Sequence, residues 1–80
     1  MNFVYILQSV GHSDQFYTGM CKNVEARLAA HNAGRSPHTS KFRPWRLVSY
    51  YWFEHEKTAS AFERYLKSGS GRAFANKHLR

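Results

Sequence analysis

Two tyrosines twelve residues apart, Tyr5 and Tyr17, precede an arginine and a histidine at helical i, i+4 spacing, Arg27 and His31. Phenol, guanidinium and imidazole groups move protons and hold anions, so this order along the chain suggests an active site. Each tyrosine sits in an apolar stretch of strand length, Phe3-Val4-Tyr5-Ile6-Leu7 and Phe16-Tyr17-Thr18-Gly19-Met20. The intervening Val10-Gly11-His12-Ser13-Asp14 is turn chemistry. A hairpin followed by a helix would gather all four side chains.

The elements that must do the gathering can be read in order. Residues 3–9 and 15–21 read as paired strands, and the first is apolar on both faces, as expected of a strand inside a sheet. Asn23 is a good N-cap and Gly34 a good C′ stop, which brackets a first helix. Residues 35–46 read as a loop containing Ser36-Pro37 and Arg43-Pro44, and Leu47 to Glu54 as a third strand. A second helix is predicted from Lys57 or Thr58 to Lys67, a turn at Ser68-Gly69-Ser70-Gly71, and a short third helix from Arg72 to Leu79. The order is ββαβαα, and at 80 residues the chain reads as one domain, 1–80.

Helical phase turns these elements into a geometry. In the first helix Val24, Leu28 and His31 share an arc about 60° wide with Arg27 at its edge, so His31 is expected to face the sheet. In the second helix Ala59, Phe62 and Leu66 form the apolar arc, and Glu63 falls inside it. A carboxylate there must find a cation, a metal or hydrogen-bond donors, or take up a proton. The plainer alternatives are an i, i+4 pair of Glu63 with Lys67, a satisfied core histidine at His31, and ordinary strand aromatics at Tyr5 and Tyr17.

Twelve Lys and Arg against five Asp and Glu give a formal charge of +7, which makes nucleic acid the leading partner class. No apolar run reaches the roughly 18 residues of a membrane helix, and a secretory h-region is missing, so neither membrane insertion nor export is expected. One cysteine, Cys21, fits a reducing compartment, and the cytoplasm is the expected location. The five histidines lack zinc spacing, and no phosphate-cradling glycine loop follows a strand.

Taken in order, these segments resemble the GIY-YIG nuclease family, specifically its small stand-alone members. Val4-Tyr5 stands where the first motif ends in tyrosine, with Phe3-Val4 in place of Gly-Ile, and Tyr17-Thr18-Gly19 matches the second motif. Arg27-Leu28 followed by His31-Asn32 matches the family's arginine-bearing helix, and Ala61-Phe62-Glu63-Arg64-Tyr65-Leu66-Lys67-Ser68-Gly69 the segment bearing its metal-binding glutamate. Arg43-Pro44-Trp45 is also familiar from the stand-alone members. The resemblance covers essentially the whole chain.

It implies an α+β fold, a three-stranded antiparallel sheet flanked by about three helices, and phosphodiester cleavage with a divalent ion, Mg²⁺ or Mn²⁺, held by Glu63. Arg27 would contact the scissile phosphate, while Tyr5, Tyr17 and His31 would position and deprotonate the water. Some members carry a further asparagine, and Asn76 is a candidate without a distinctive setting. Substrate grip is expected from Arg35, His38, Lys41, Arg43 and Arg46, interleaved with Phe42 and Trp45, and extended by Lys22, Lys67 and Arg72. Phosphate contacts do not read bases, so selectivity would be for nucleic-acid structure, with DNA ahead of RNA. The competing readings are a catalytically silent nucleic-acid-binding module on the same scaffold and a basic adaptor that docks a larger protein partner.

Overall fold

Aromatic and β-branched runs joined by a short turn pair with their neighbours in sequence. They do so in the computed structural model of the protein, which describes residues 2–80. Strand β1 (Asn2–Ser9) pairs antiparallel with β2 (Phe16–Cys21) and with β3 (Trp45–Phe53), giving one sheet of order β2-β1-β3. With α1 (Val24–Asn32), α2 (Glu56–Lys67) and α3 (Gly69–His78) the architecture is α+β and the order ββαβαα. Among the described residues no helix is long and apolar enough to cross a membrane.

β1 is the central strand, as its two apolar faces require, and its alternation divides the core in two. Val4 and Ile6 meet Ala59 and Leu66 of α2 and Ala75 of α3 on one face. Tyr5 and Leu7 meet Trp45, Tyr17 and the α1 residues Val24 and Leu28 on the other. Val4, Ile6 and Leu7 are each 0% exposed, which is worth roughly 1.5–3 kcal/mol apiece in apolar burial. The sheet is therefore a partition, with α1 on one side and the α2–α3 pair on the other.

A bulge adjusts which β3 side chains reach the α1 side. Ile6 is opposite Ser49 and Leu7 opposite Leu47, so Val48 is an extra residue in β3. The shift of parity leaves Leu47 and Tyr50 on the same face as Tyr5, and sends Val48 and Phe53 to the α2–α3 core.

Local chemistry accounts for the element ends. The Asn23 side chain accepts from Ala26 N–H at 3.0 Å and starts α1, and Gly34, at φ 78°, stops it. β3 begins at Trp45, two residues before the predicted Leu47, because Asn32 clamps that peptide from α1: Nδ2 donates to Trp45 O at 3.0 Å and Trp45 N–H donates to Oδ1 at 2.5 Å.

The predicted turn at Ser68-Gly69-Ser70-Gly71 is corrected: α3 starts at Gly69, not Arg72. Ser68 serves both helices, its N–H closing α2 on Tyr65 O and its Oγ accepting from Gly71 N–H at 3.2 Å. Gly71 packs directly on the Tyr65 carbonyl, where any Cβ would collide, so this glycine permits a tight helix corner and does not mark a loop.

Candidate active site

The hairpin register puts Tyr17 opposite Leu7 and Gly19 opposite Tyr5, so the two tyrosines are diagonal neighbours on the α1 side of the sheet. Their ring centroids are 6.2 Å apart, and the His31 ring lies 4.8 Å from Tyr17 and 6.0 Å from Tyr5. Gly19 makes room for this cluster. A Cβ there would stand 2.5 Å from the Tyr5 hydroxyl and 3.0 Å from the Tyr17 ring.

A chain of hydrogen bonds runs through the cluster. Tyr5 Oη is 2.9 Å from His31 Nε2, His31 Nδ1 is 2.7 Å from Thr39 Oγ1, and the Thr39 hydroxyl donates to Ser36 O at 3.4 Å. With its own proton directed to Ser36, Thr39 accepts from Nδ1–H, which leaves Nε2 to accept the Tyr5 proton. The network thus assigns the Nδ1–H tautomer to a neutral His31. Burial first, and the nearby Arg27 charge second, lower the His31 pKa from its ordinary 6.5. Burial raises that of Tyr5 above the ordinary phenol value, with Arg27 acting in the opposite sense. Tyr5 and His31 are 1% and 0% exposed, so both act from within the protein.

Arg27 is the charged member of the group. Its guanidinium acts on the Tyr5 phenol first by hydrogen bonding and then by charge, yet Nε is a buried donor with no hydrogen-bond partner of its own. A buried guanidinium N–H without an acceptor is costly, so the position of Arg27 is held by the packing around it and not by a bond of its own at Nε.

Glu63 comes from the other layer. It sits on α2, whose core residues Ala59 and Leu66 pack on the opposite side of the sheet from Tyr5. Its side chain is only 17% exposed, and its carboxylate is paired with Lys67 at 2.7 Å, the i, i+4 partner foreseen in the sequence. The two layers meet at the edge strand: Tyr17 and Thr18 of β2, Lys67 of α2 and Arg72 of α3 line one open cleft of about 420 Å³, together with Asp14 and Arg80. The Tyr17 hydroxyl makes no hydrogen bond among the described residues. The structure thus gathers Tyr5, Tyr17, Arg27 and His31 on the α1 side of the sheet, whereas Glu63 stays on the α2 side; its partner Lys67 lines the cleft at the β2 edge and Glu63 does not.

The expected phosphate-gripping residues divide. Lys67 and Arg72 line the β2 cleft. Arg35, Lys41, Arg43 and Arg46 are exposed on the segment from the end of α1 to the start of β3, and Lys22 is exposed at the end of β2. Lys41 stacks over Phe42 at 5.3 Å, Arg43 lies over Gly34, and Arg46 is bonded to Gln8. Trp45 is an anchor, 4% exposed, with Nε1 donating to Thr39 O at 2.9 Å. Asn76 is exposed on α3 and accepts from Arg80.

Two participants were not foreseen. Thr39 fixes the His31 tautomer from a loop with no periodic pattern. Arg80 stacks over Phe16 at 4.1 Å, and burial, then the charge of Arg72, lower its pKa, as crowding of two guanidiniums at one cleft requires. No sequence signal marked either residue.

The family model for the GIY-YIG catalytic domain matches residues 1–77. The chain belongs to the GIY-YIG family. It is 40% identical over 68 residues to the UPF0213 protein CPE1444 of Clostridium perfringens, covering 84% of this chain and 71% of that one. It is 39% identical over 70 residues to the UPF0213 protein SH2523 of Staphylococcus haemolyticus, covering 86% and 83%. Among solved structures it is similar to the UPF0213 protein BH0048 of Bacillus halodurans, determined by solution NMR, with 28% identity, a TM-score of 0.56, and coverage of 96% of this chain and 84% of that one. Membership gives the chain a nuclease-type fold. Proteins of the GIY-YIG family are generally endonucleases, typically use divalent metal ions, and act on nucleic acid.

Proposed function

We propose that this protein is a metal-dependent endonuclease that hydrolyses phosphodiester bonds in nucleic acid, selective for the structure of DNA in preference to RNA, with residues 1–80 forming a single nuclease domain that works in the cytoplasm. The observation that carries this reading is the half-buried Arg27 guanidinium, its Nε without a partner, beside the ordered Tyr5–His31–Thr39 hydrogen-bond chain: a cation held for an anion at the tyrosine cluster.

The donor set fits a weakly held divalent ion. Among the described residues no three His, Cys, Asp or Glu side chains cluster, so Glu63 would be the protein's carboxylate ligand and water and substrate phosphate the others. When bound, such an ion supplies Lewis acidity at a phosphate oxygen and acidifies a ligated water. Lys67 neutralises Glu63 until then.

The remaining work falls to the chain's own side chains. Arg27 donates from its terminal guanidinium N–H groups to a non-bridging phosphate oxygen, since Nε itself is closed to solvent. Tyr17, half-buried and with no hydrogen-bond partner for its hydroxyl among the described residues, orients the attacking water. Tyr5 stays protonated, because burial disfavours its phenolate and its proton is committed to His31 Nε2. His31 is a positioning residue: fully buried, it touches Tyr5 and the Tyr17 ring. Lys67, Arg72 and Arg80 neutralise flanking phosphates along the β2 cleft, and the basic segment from Arg35 to Arg46 adds charge elsewhere.

The test is incubation of purified protein with labelled flapped, branched, duplex and single-stranded DNA and RNA in Mg²⁺, Mn²⁺ or chelator, beside Glu63→Ala. Cleavage by the wild type alone, only with a divalent ion, is the expected result. Binding without nicking under every condition, unchanged in Glu63→Ala, would establish the silent module instead.

A further inference from the structure

The α1 side of the sheet is only half covered. α1 lies over the end carrying Leu7, Leu47 and Trp45, while Phe3, Tyr50 and Trp52 line up at the other end, and Tyr50 and Trp52 are 55% and 54% exposed. The register shows why they belong together: Phe3 is opposite Trp52 and Tyr5 opposite Tyr50, so all four project from one face. The bulge at Val48 creates this arrangement, since unbroken alternation from Leu47 would present Tyr51 and Phe53 instead. Phe3 and Tyr50 have ring centroids 6.0 Å apart, and with Lys22, Asn23, Val24, Glu25 and Leu47 they line an open cleft of about 510 Å³ at the start of α1.

Two exposed aromatic rings on a sheet face are an unusual cost for a chain of 80 residues. We infer that Tyr50 and Trp52 form a stacking platform for unpaired bases of a single-stranded nucleic-acid segment, with Lys22 on its backbone, leading that strand across the sheet towards Arg27 and Tyr17. The occupant follows from position and charge. The platform is continuous with the tyrosine cluster through the Tyr5–Tyr50 pair; Lys22 and Glu25 offset each other at the cleft, and it is the chain's formal charge of +7 that disfavours a second copy and favours a polyanion. Every base has a π face, so rings at this position select for unpaired structure and not for sequence. The inference rests on the nuclease reading and specifies its substrate: strands with a flap, gap or free single-stranded arm.

The test measures binding of a labelled short oligothymidine, and of a blunt duplex of equal length, by fluorescence anisotropy in chelator. Tyr50→Ala/Trp52→Ala is expected to weaken oligothymidine binding roughly tenfold or more while leaving the duplex within about twofold. Trp52→Phe keeps a ring, so it should retain the affinity but lose the tryptophan quenching that oligothymidine causes, because Trp45 is buried. Equal binding of both ligands by the double variant, parallel loss of both, or persistence of quenching in Trp52→Phe would overturn the platform. So would a fall in sedimentation coefficient on mutation, which would identify the occupant as a second copy. Should the double variant fail to fold, the quenching result decides. Wild-type protein that binds oligothymidine through Trp52 but cleaves nothing would sink the nuclease reading and leave the platform standing.

Discussion

The Tyr5 hydroxyl lies 2.9 Å from His31 Nε2, and both residues are closed to solvent. Neither group can exchange that bond for one to water, so the pair binds the central strand to α1. Tyr5→Phe removes the donor and strands a buried imidazole nitrogen. Unfolding in urea should show a loss of about 1–3 kcal/mol. A midpoint equal to that of the wild type would mean that the two groups are not joined.

The tautomer gives a spectroscopic prediction. With Thr39 accepting from Nδ1–H, nitrogen NMR should find His31 neutral and protonated on Nδ1 at neutral pH. Thr39→Val leaves that N–H unsatisfied and should shift the population towards Nε2–H. An Nε2–H imidazole in the wild type would reverse the direction of the whole hydrogen-bond chain.

The pH dependence of stability has a defined sign. Because His31 is held below its ordinary 6.5 in the folded protein, the unfolded chain takes up the proton first as pH falls. Its contribution is complete above that value and is lost below it, with a slope of at most about 1.4 kcal/mol per pH unit. Urea midpoints taken from neutral to mildly acidic pH should fall more steeply for the wild type than for His31→Gln. Parallel profiles would assign the loss to other groups.

Gly19 supplies space. A methyl group there meets the Tyr5 hydroxyl at 2.5 Å, and Tyr5 is rigid, buried and bonded, so the ring must give way. Gly19→Ala should destabilise by about 1–3 kcal/mol and depress cleavage further than that loss explains. Full activity with full stability would show that the hairpin has slack.

Asn23 and Gly34 announced α1 because each acts through local backbone chemistry, a cap and a positive φ that depend on a few adjacent residues. The two faces of β1 and the inward phase of His31 were equally legible, since periodicity encodes them. Ser68 and Gly71 misled because their roles depend on two helices meeting: a serine that ends one and caps the next looks like a turn residue in one dimension. The early start of β3 depends on Asn32, thirteen residues upstream of Trp45, and the Val48 bulge on pairing with β1; the sequence near either carries no mark of it. The site divides in the same way. Tyr5, Tyr17, Arg27 and His31 were found by spacing, whereas Thr39 and Arg80 join only through loop and terminal closure.

The central claim is that a carboxylate on one side of the sheet and the tyrosine–arginine cluster on the other serve a single site around the β2 edge. Glu63 itself contributes little to folding, for its ion pair with the half-exposed Lys67 is worth about 0.3–0.5 kcal/mol. Glu63→Ala is therefore a clean control. The most direct measurement is paramagnetic broadening of NMR signals by substoichiometric Mn²⁺ in the presence of oligothymidine. Broadening of both the α2 residues around Glu63 and the resonances of Tyr17 and Arg27, lost together in Glu63→Ala, is the predicted result; broadening confined to α2, or unchanged by that substitution, would contradict it.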